Sequence, residues 1–175
     1  MTDVTIQNAK RSDIEKLAQL RLQLQQHCEK SNSLIWQTTK EGETLLKQKV
    51  SDNLDDVNGR VLVAELDGEI IGFAYGEILH RTDYSHGIVG SISTVYVDRK
   101  ARRKGVGTLL VRRICEFFEK EDVEDVTLRY VVGNREAETF WRKLGFNPVI
   151  TTATTGLREL KREIDELRAA RKSWI

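Results

Sequence analysis

"VYVDRKARRKGVGTLLV" (residues 95–111) passes from an apolar, strand-like run to Arg102, Arg103 and Lys104, then to Gly105-Val106-Gly107. From Val106 onward the apolar residues fall at Leu109, Leu110, Ile114, Phe117 and Phe118, a wide stripe on one helical face that must pack on a sheet. The glycines therefore stand at a corner between a strand and a buried helix. Backbone N–H groups and a helix N-terminus converge at such a corner, which suits an anion. Gly105 and Gly107 keep side chains out of the way of a close backbone approach, and the three basic residues add charge at the rim. A Walker loop is excluded because no Gly-Lys-Ser/Thr ends the motif. A dinucleotide fingerprint is excluded because the third glycine is missing and the preceding strands read as an antiparallel meander. By itself the corner is either an anion cradle or a plain tight turn.

Before the corner, "VTIQNA" (4–9) alternates like a strand, and Ser12 with Glu15 forms a capping box ahead of a helix through Ile14, Leu17, Ala18, Arg21 and Leu24. "HCEKSNSLIWQT" reads as a loop, followed by a second helix near 39–54 with Thr38 as its start signal. "RVLVAEL", Asp67-Gly68 and "EIIGFAYGEIL" form a hairpin, since Asp-Gly suits the positive φ angles of a type I′ turn. "GIVGSISTVYV" (87–97) supplies the next antiparallel strand. Beyond the corner come a strand at 126–132 and a helix at 135–144 closed by Gly145. A strand, "PVITTATT", opened by the only proline, follows. A charged helix after Gly156 carries Leu157, Leu160, Ile164, Leu167 and Trp174 at three- and four-residue steps or twice that.

The 175 residues, 39% hydrophobic and 31% charged, suit one compact domain. A net charge of +1 argues against nucleic acid as a partner, as does the acidic "EKEDVED" segment near "RKARRK". Cys28 and Cys115 have neither the spacing nor the neighbours of a metal site, so both read as reduced packing thiols and no metal is expected. Charged residues from Asp3 to Glu15 leave no apolar core for a signal peptide, and no run reaches the ~18 apolar residues of a membrane span. The expectation is a cytoplasmic protein with no membrane partner.

Arg102-x-x-Gly105-x-Gly107 after "VYV", together with "NREAETFWRKLGF" (134–146), resembles the GNAT superfamily of acyl-CoA-dependent N-acetyltransferases. The resemblance spans residues 4–150. It implies an α/β (α+β) fold: a mixed, mostly antiparallel central sheet flanked by helices, here with a C-terminal helical extension. Residues 1–155 would be the acetyltransferase-like domain and 156–175 the extension of that domain. It also implies acetyl-CoA as co-substrate and transfer of its acetyl group to a primary amine by direct attack in a ternary complex. The loop Arg102, Arg103, Lys104, Gly105, Val106, Gly107, Thr108 would take the pyrophosphate through backbone N–H groups, and Val95, Tyr96 and Val97 would hold the pantetheine. The strand bearing Val95 would splay from its neighbour, so that the pantetheine pairs like an added strand and an N–H near Val95 faces the thioester oxygen. Asn134, Ala137 and Trp141 would line the cofactor, whereas Phe140 and Leu144 read as core packing.

Two residues the family often carries are absent. Where it places a glutamate just ahead of the "VYV" segment this sequence has Ser93 and Thr94, and where it places a tyrosine as general acid it has Trp141, which cannot exchange a proton at usable pH. A thiol leaves tolerably as thiolate, so the acid is dispensable. Glu77, in "AYGEILH", is the candidate base, against the alternatives of an edge carboxylate, His80, Tyr75 or a water relay. His27 and His86 read as surface loop residues, while Trp36, Asp83 and Tyr84 would roof an acceptor pocket or merely anchor loops. The missing residues also leave open a catalytically weak acyl-CoA-binding protein. The stripe on the tail helix would be buried against a second copy of the chain or against its own sheet.

Overall fold

The computed structural model describes residues 4–35, 37–82 and 87–172. The chain divides into two compact units, residues 1–138 and 139–175. In the first, strand β1 (Thr5–Asn8) leads through a 3-10 turn (Arg11–Asp13) into α1 (Ile14–Ser31) and α2 (Lys40–Asp55). Strands β2 (Gly59–Leu66), β3 (Glu69–His80) and β4 (Ile88–Val97) follow, then α3 (Val106–Glu119) and β5 (Asp125–Leu128). The helix α4 (Arg135–Lys143) spans the division, and α5 (Leu157–Lys172) lies in the second unit.

The five strands lie in the order β1-β2-β3-β4-β5; the first four are antiparallel and β5 runs parallel to β4. The β2–β3 turn has Asp67 at φ 51 and Gly68 at φ 80, the backbone the Asp-Gly pair implies. On one face Leu17 and Leu20 of α1 and Val50 of α2 pack with Val61, Val63, Phe73, Tyr75 and Tyr96. Burying each large apolar side chain there contributes ~1.5–3 kcal/mol. On the other face α3 approaches so closely that a Cβ on Gly76 or Gly90 would stand 2.7 Å from Ile114 or Phe118. Glycine in those two strand positions seats the helix.

Several local expectations are corrected. The Ser12–Glu15 capping box is not formed: α1 starts after Asp13 with no side-chain cap bond, and the Asp13 side chain instead accepts the Lys10 N–H at 2.8 Å at the start of the preceding 3-10 turn. α1 continues through His27 to Ser31, whose hydroxyl bonds back to the His27 carbonyl at 2.7 Å. Thr39, one residue after the expected start, caps α2 by accepting from the Gly42 N–H at 3.1 Å. Leu109, placed in the apolar stripe of the helix after the glycines, is exposed, and so is Leu45 on α2. Residues 148–155 form no strand: Val149 and Ile150 are 90% and 88% exposed, since β-prone residues need a partner strand to pair with. β5 ends at Leu128 instead of residue 132, and among the described residues no strand follows it. In the second unit Gly145 (φ 91) closes α4, with the Phe146 N–H reaching the Trp141 carbonyl at 3.1 Å. Among the described residues no helix is long and apolar enough to cross a membrane.

Candidate functional site

β4 changes character at Ser93. Against β3, Ile92 pairs with Gly76 and Thr94 with Tyr75, so Ser93 is the extra residue of a bulge. Against β5, the parallel pairing covers only Val89–Ile92 with Asp125–Leu128. From Ser93 to Val97 the strand therefore keeps β3 on one side and has no β5 partner on the other. That opened edge can take an extended chain by backbone hydrogen bonding. Tyr96 offers that edge little: its ring is buried in the α1 core, its hydroxyl donates to Gln23 Oε1 at 3.1 Å, and its carbonyl lies on the β3 side, where a Cβ on Gly72 would stand 2.7 Å from it.

The loop after β4 is built from local turns. Asp98 accepts the Lys100 N–H at 3.0 Å and starts a 3-10 turn at Arg99–Ala101. Arg103 (φ 62) and Gly105 (φ 83) take left-handed backbone, and Gly105 is the residue from which α3 begins. A Cβ on Gly105 would meet nothing within 4 Å, so this glycine serves the backbone angle first and leaves open space above the helix N-terminus. Val106 is buried at 2% exposure and can offer only its backbone. Arg103, Lys104 and Thr108 are exposed around that opening, and Gly107 is half-buried. Arg102 is not a free rim charge. Its Nε donates to the Val97 carbonyl at 3.0 Å, its guanidinium pairs with Glu136, and it lies 5.6 Å from the Tyr96 ring centroid. His27, on α1 and not in a loop, faces the same Glu136 at 3.7 Å.

Asn134 is buried, and its Oδ1 accepts from the Ala137 N–H at 3.1 Å, capping α4. The turn before it is pressed against the end of α1. Asn32 donates to the Val132 carbonyl at 2.9 Å, and a Cβ on Gly133 (φ 94) would stand 2.9 Å from the Ser31 carbonyl oxygen. Ala137 is half-buried. Trp141 belongs to the second unit, buried, edge-on to Phe140 at 4.8 Å and to Phe146 at 5.4 Å.

Glu77 pairs with Ser91 in the β3–β4 register, beside the bulge. Its Oε1 accepts from Ser93 Oγ at 2.6 Å, and Ser93 Oγ lies 3.2 Å from Ser91 Oγ. Tyr75 donates to Asp56 Oδ2 at 2.6 Å and stands 3.4 Å from Glu77 Oε2. Burial, and then the hydrogen bond to Asp56, push the Tyr75 hydroxyl above the ordinary phenol range, so it remains a donor and is no base. The reading of residues along the chain named Ser93 only as the replacement for a glutamate and missed both its bond to Glu77 and the part of Asp56, which the strand register and the loop after α2 bring to the cluster. Burial pushes the Cys28 and Cys115 thiols up, and both are free and half-buried. Trp36, Asp83, Tyr84, His86 and Trp174 lie outside the described residues.

β4, the glycine loop and the start of α3 all lie within a stretch that a family model matches. Residues 22–146 fit the model of the acetyltransferase (GNAT) family. The chain belongs to that family. It is 29% identical over 119 residues to a probable N-acetyltransferase 14 of Danio rerio, covering 68% of this chain and 39% of that one. It is 25% identical over 147 residues to an L-amino acid N-acetyltransferase of Escherichia coli, covering 83% and 84%. The chain thus spans about two fifths of the Danio rerio protein's length and most of the Escherichia coli one. Among solved structures, a predicted acetyltransferase with acetyl-CoA from Clostridium acetobutylicum superposes with TM-score 0.71 at 18% identity, covering 90% and 98% of the two chains. An aminoglycoside N-acetyltransferase in complex with CoA gives 0.69 at 16%, covering 90% and 97%. At such identities the structures speak for the fold, which in this GNAT chain is a mixed α/β sheet flanked by helices.

Proposed function

We propose that the chain is an N-acetyltransferase that passes the acetyl group of acetyl-CoA to a primary amine by direct attack within a ternary complex. The observation that carries this is the end of the β4–β5 pairing at Ile92 and Leu128, just ahead of the loop that opens α3. The residues present fit the cofactor: the strand through Val95, Tyr96 and Val97 has no β5 partner, Arg102 taking only the Val97 carbonyl, and open space lies over Gly105 at a helix N-terminus. Backbone N–H groups from Arg102 to Thr108 would hold the pyrophosphate, the helix end contributing ~0.3–1 kcal/mol per anionic group. Asn134 and Ala137 would line the arm, with Trp141 assigned to the same task by the family motif. Acetyl-CoA, when bound, supplies an activated acyl thioester. Glu77 would accept the proton of the incoming ammonium, and an N–H near Val95 would face the acyl oxygen.

Calorimetry with acetyl-CoA, followed by transfer assays on leucine, spermidine, kanamycin and a free-amino tripeptide, tests this reading. Binding plus transfer to any amine supports it, and absence of binding overturns it. A second reading, an acyl-CoA-binding protein with little turnover, is favoured by Ser93 and Thr94 standing where the family often has glutamate. Binding with no transfer to any amine class would select it. We further assign residues 1–155 to the acetyltransferase domain with 156–175 as its helical extension, the amine acceptor as the small-molecule or peptide partner, and the cytoplasm as the location, where two free thiols stay reduced. The exposed stripe of α5 suits a second copy of the chain.

A further inference from the structure

Two oxygens of Glu77 face different neighbours. Oε1 accepts from Ser93 at 2.6 Å, whereas Oε2 has the Tyr75 hydroxyl at 3.4 Å, beyond a good hydrogen bond. A phenol carries one proton, and here Asp56 Oδ2 takes it at 2.6 Å. Asp56 is itself fixed, since its Oδ1 accepts the Asn58 N–H at 2.9 Å. The neighbouring backbone leaves it no slack: a Cβ on Gly59 would stand 2.7 Å from both Asp56 Oδ2 and Tyr75 Cε2. Both carboxylates thus compete for one donor, and the shorter distance belongs to the one in the loop after α2.

We propose that Asp56 is a positioning residue: by holding the Tyr75 hydroxyl it keeps Glu77 Oε2 open for the incoming amine. The inference rests on Glu77 being the base. With Tyr75 drawn to Asp56, Glu77 is anchored through Oε1 alone and offers Oε2 as an acceptor without a competing donor. If Asp56 loses its second carboxylate oxygen, its remaining oxygen is claimed by Asn58. The amide nitrogen then faces the phenol oxygen, and the Tyr75 hydrogen has only Glu77 left to bond. Oε2 is then blocked by a donor that must be displaced before a proton can arrive.

The test is a rescue. Asp56→Asn should lower kcat about tenfold, with acetyl-CoA affinity by calorimetry unchanged. Tyr75→Phe alone should stay within about threefold of the parent, and adding Tyr75→Phe to Asp56→Asn should restore turnover, because the blocking hydrogen is gone. A merely structural role makes the double variant worse than either single one, and that result overturns the proposal. The assay uses acetyl-CoA and whichever of leucine, spermidine, kanamycin or the tripeptide the parent acetylates. Independently of any acceptor, a crystal structure of Asp56→Asn should bring the Tyr75 hydroxyl within about 3 Å of Glu77 Oε2, and a hydroxyl still bonded to residue 56 overturns it. Full activity of Glu77→Gln would sink the base assignment instead, and leaves the crystallographic result to judge the Tyr75 geometry by itself.

Discussion

Ser93 Oγ stands 2.6 Å from Glu77 Oε1, joining the residue that bulges from β4 to a carboxylate on the neighbouring strand. The carboxylate thereby lies beside the strand position at which the family often has its own glutamate. Glu77→Gln keeps the shape and should cost ~10² in turnover while acetyl-CoA binds as before. Stopped-assay kinetics beside calorimetry check it, and an unchanged kcat would move the base to His80 or water.

Gly107→Trp places a large ring in the first turn of α3, within the loop proposed for the phosphates. Acetyl-CoA binding should vanish in calorimetry while the circular dichroism spectrum persists. A folded variant of parental affinity would remove the phosphate cradle from the argument.

Glu136 holds Arg102 and also faces His27. Because Glu136 is 65% exposed, the pair adds little to stability, yet it sets a negative charge beside the loop proposed for phosphates. Glu136→Gln should tighten acetyl-CoA binding about threefold at low salt, an effect that fades by ~0.5 M salt as screening shortens its reach. Weaker binding would show that Arg102 needs Glu136 to stay in place.

Trp141 has an indole N–H with no usable acid dissociation. Trp141→Phe should leave turnover within about tenfold, at most ~1.4 kcal/mol of transition-state stabilisation. A larger loss at equal cofactor affinity would assign the N–H a catalytic hydrogen bond.

Leu160 and Ile164 on α5 are each 45% exposed, and Leu157 and Leu167 more so. In a parallel pair of such helices, with Leu157 and Ile164 at one seam position and Leu160 and Leu167 at the other, Glu163 would face Arg168 of the second copy. Sedimentation of the intact chain should give a dimer that Ile164→Lys converts to monomer. Glu163→Arg should weaken it, and adding Arg168→Glu should restore it. A monomeric intact chain sinks the interface.

Elements with a strong local signal were legible along the chain. Asp67-Gly68 announced its hairpin because positive φ is a property of two residues, and α3 announced itself by a stripe that only a sheet could cover. The glycine loop was legible for a similar reason, although Gly105 turned out to serve a backbone angle more than clearance. Val149 and Ile150 misled because strand formation depends on a neighbour, and propensity alone does not provide one. The Asp56–Tyr75–Glu77–Ser93 cluster was out of reach for the same physical reason. Its members meet through register and one bulge, and moving the bulge by a single residue would turn Ser93 away from Glu77.

The bare edge of β4 from Ser93 to Val97 has a consequence for the protein when it is empty. Unpaired strand backbone invites another chain to add itself, and here the stretch carries Val95, Tyr96 and Val97 and no proline, with Arg102 on the Val97 carbonyl closing only its far end. A ligand lying along that edge would act as a chaperone as well as a substrate. Amide hydrogen exchange at residues 93–97 should slow, and aggregation on storage should fall, whenever the edge is filled.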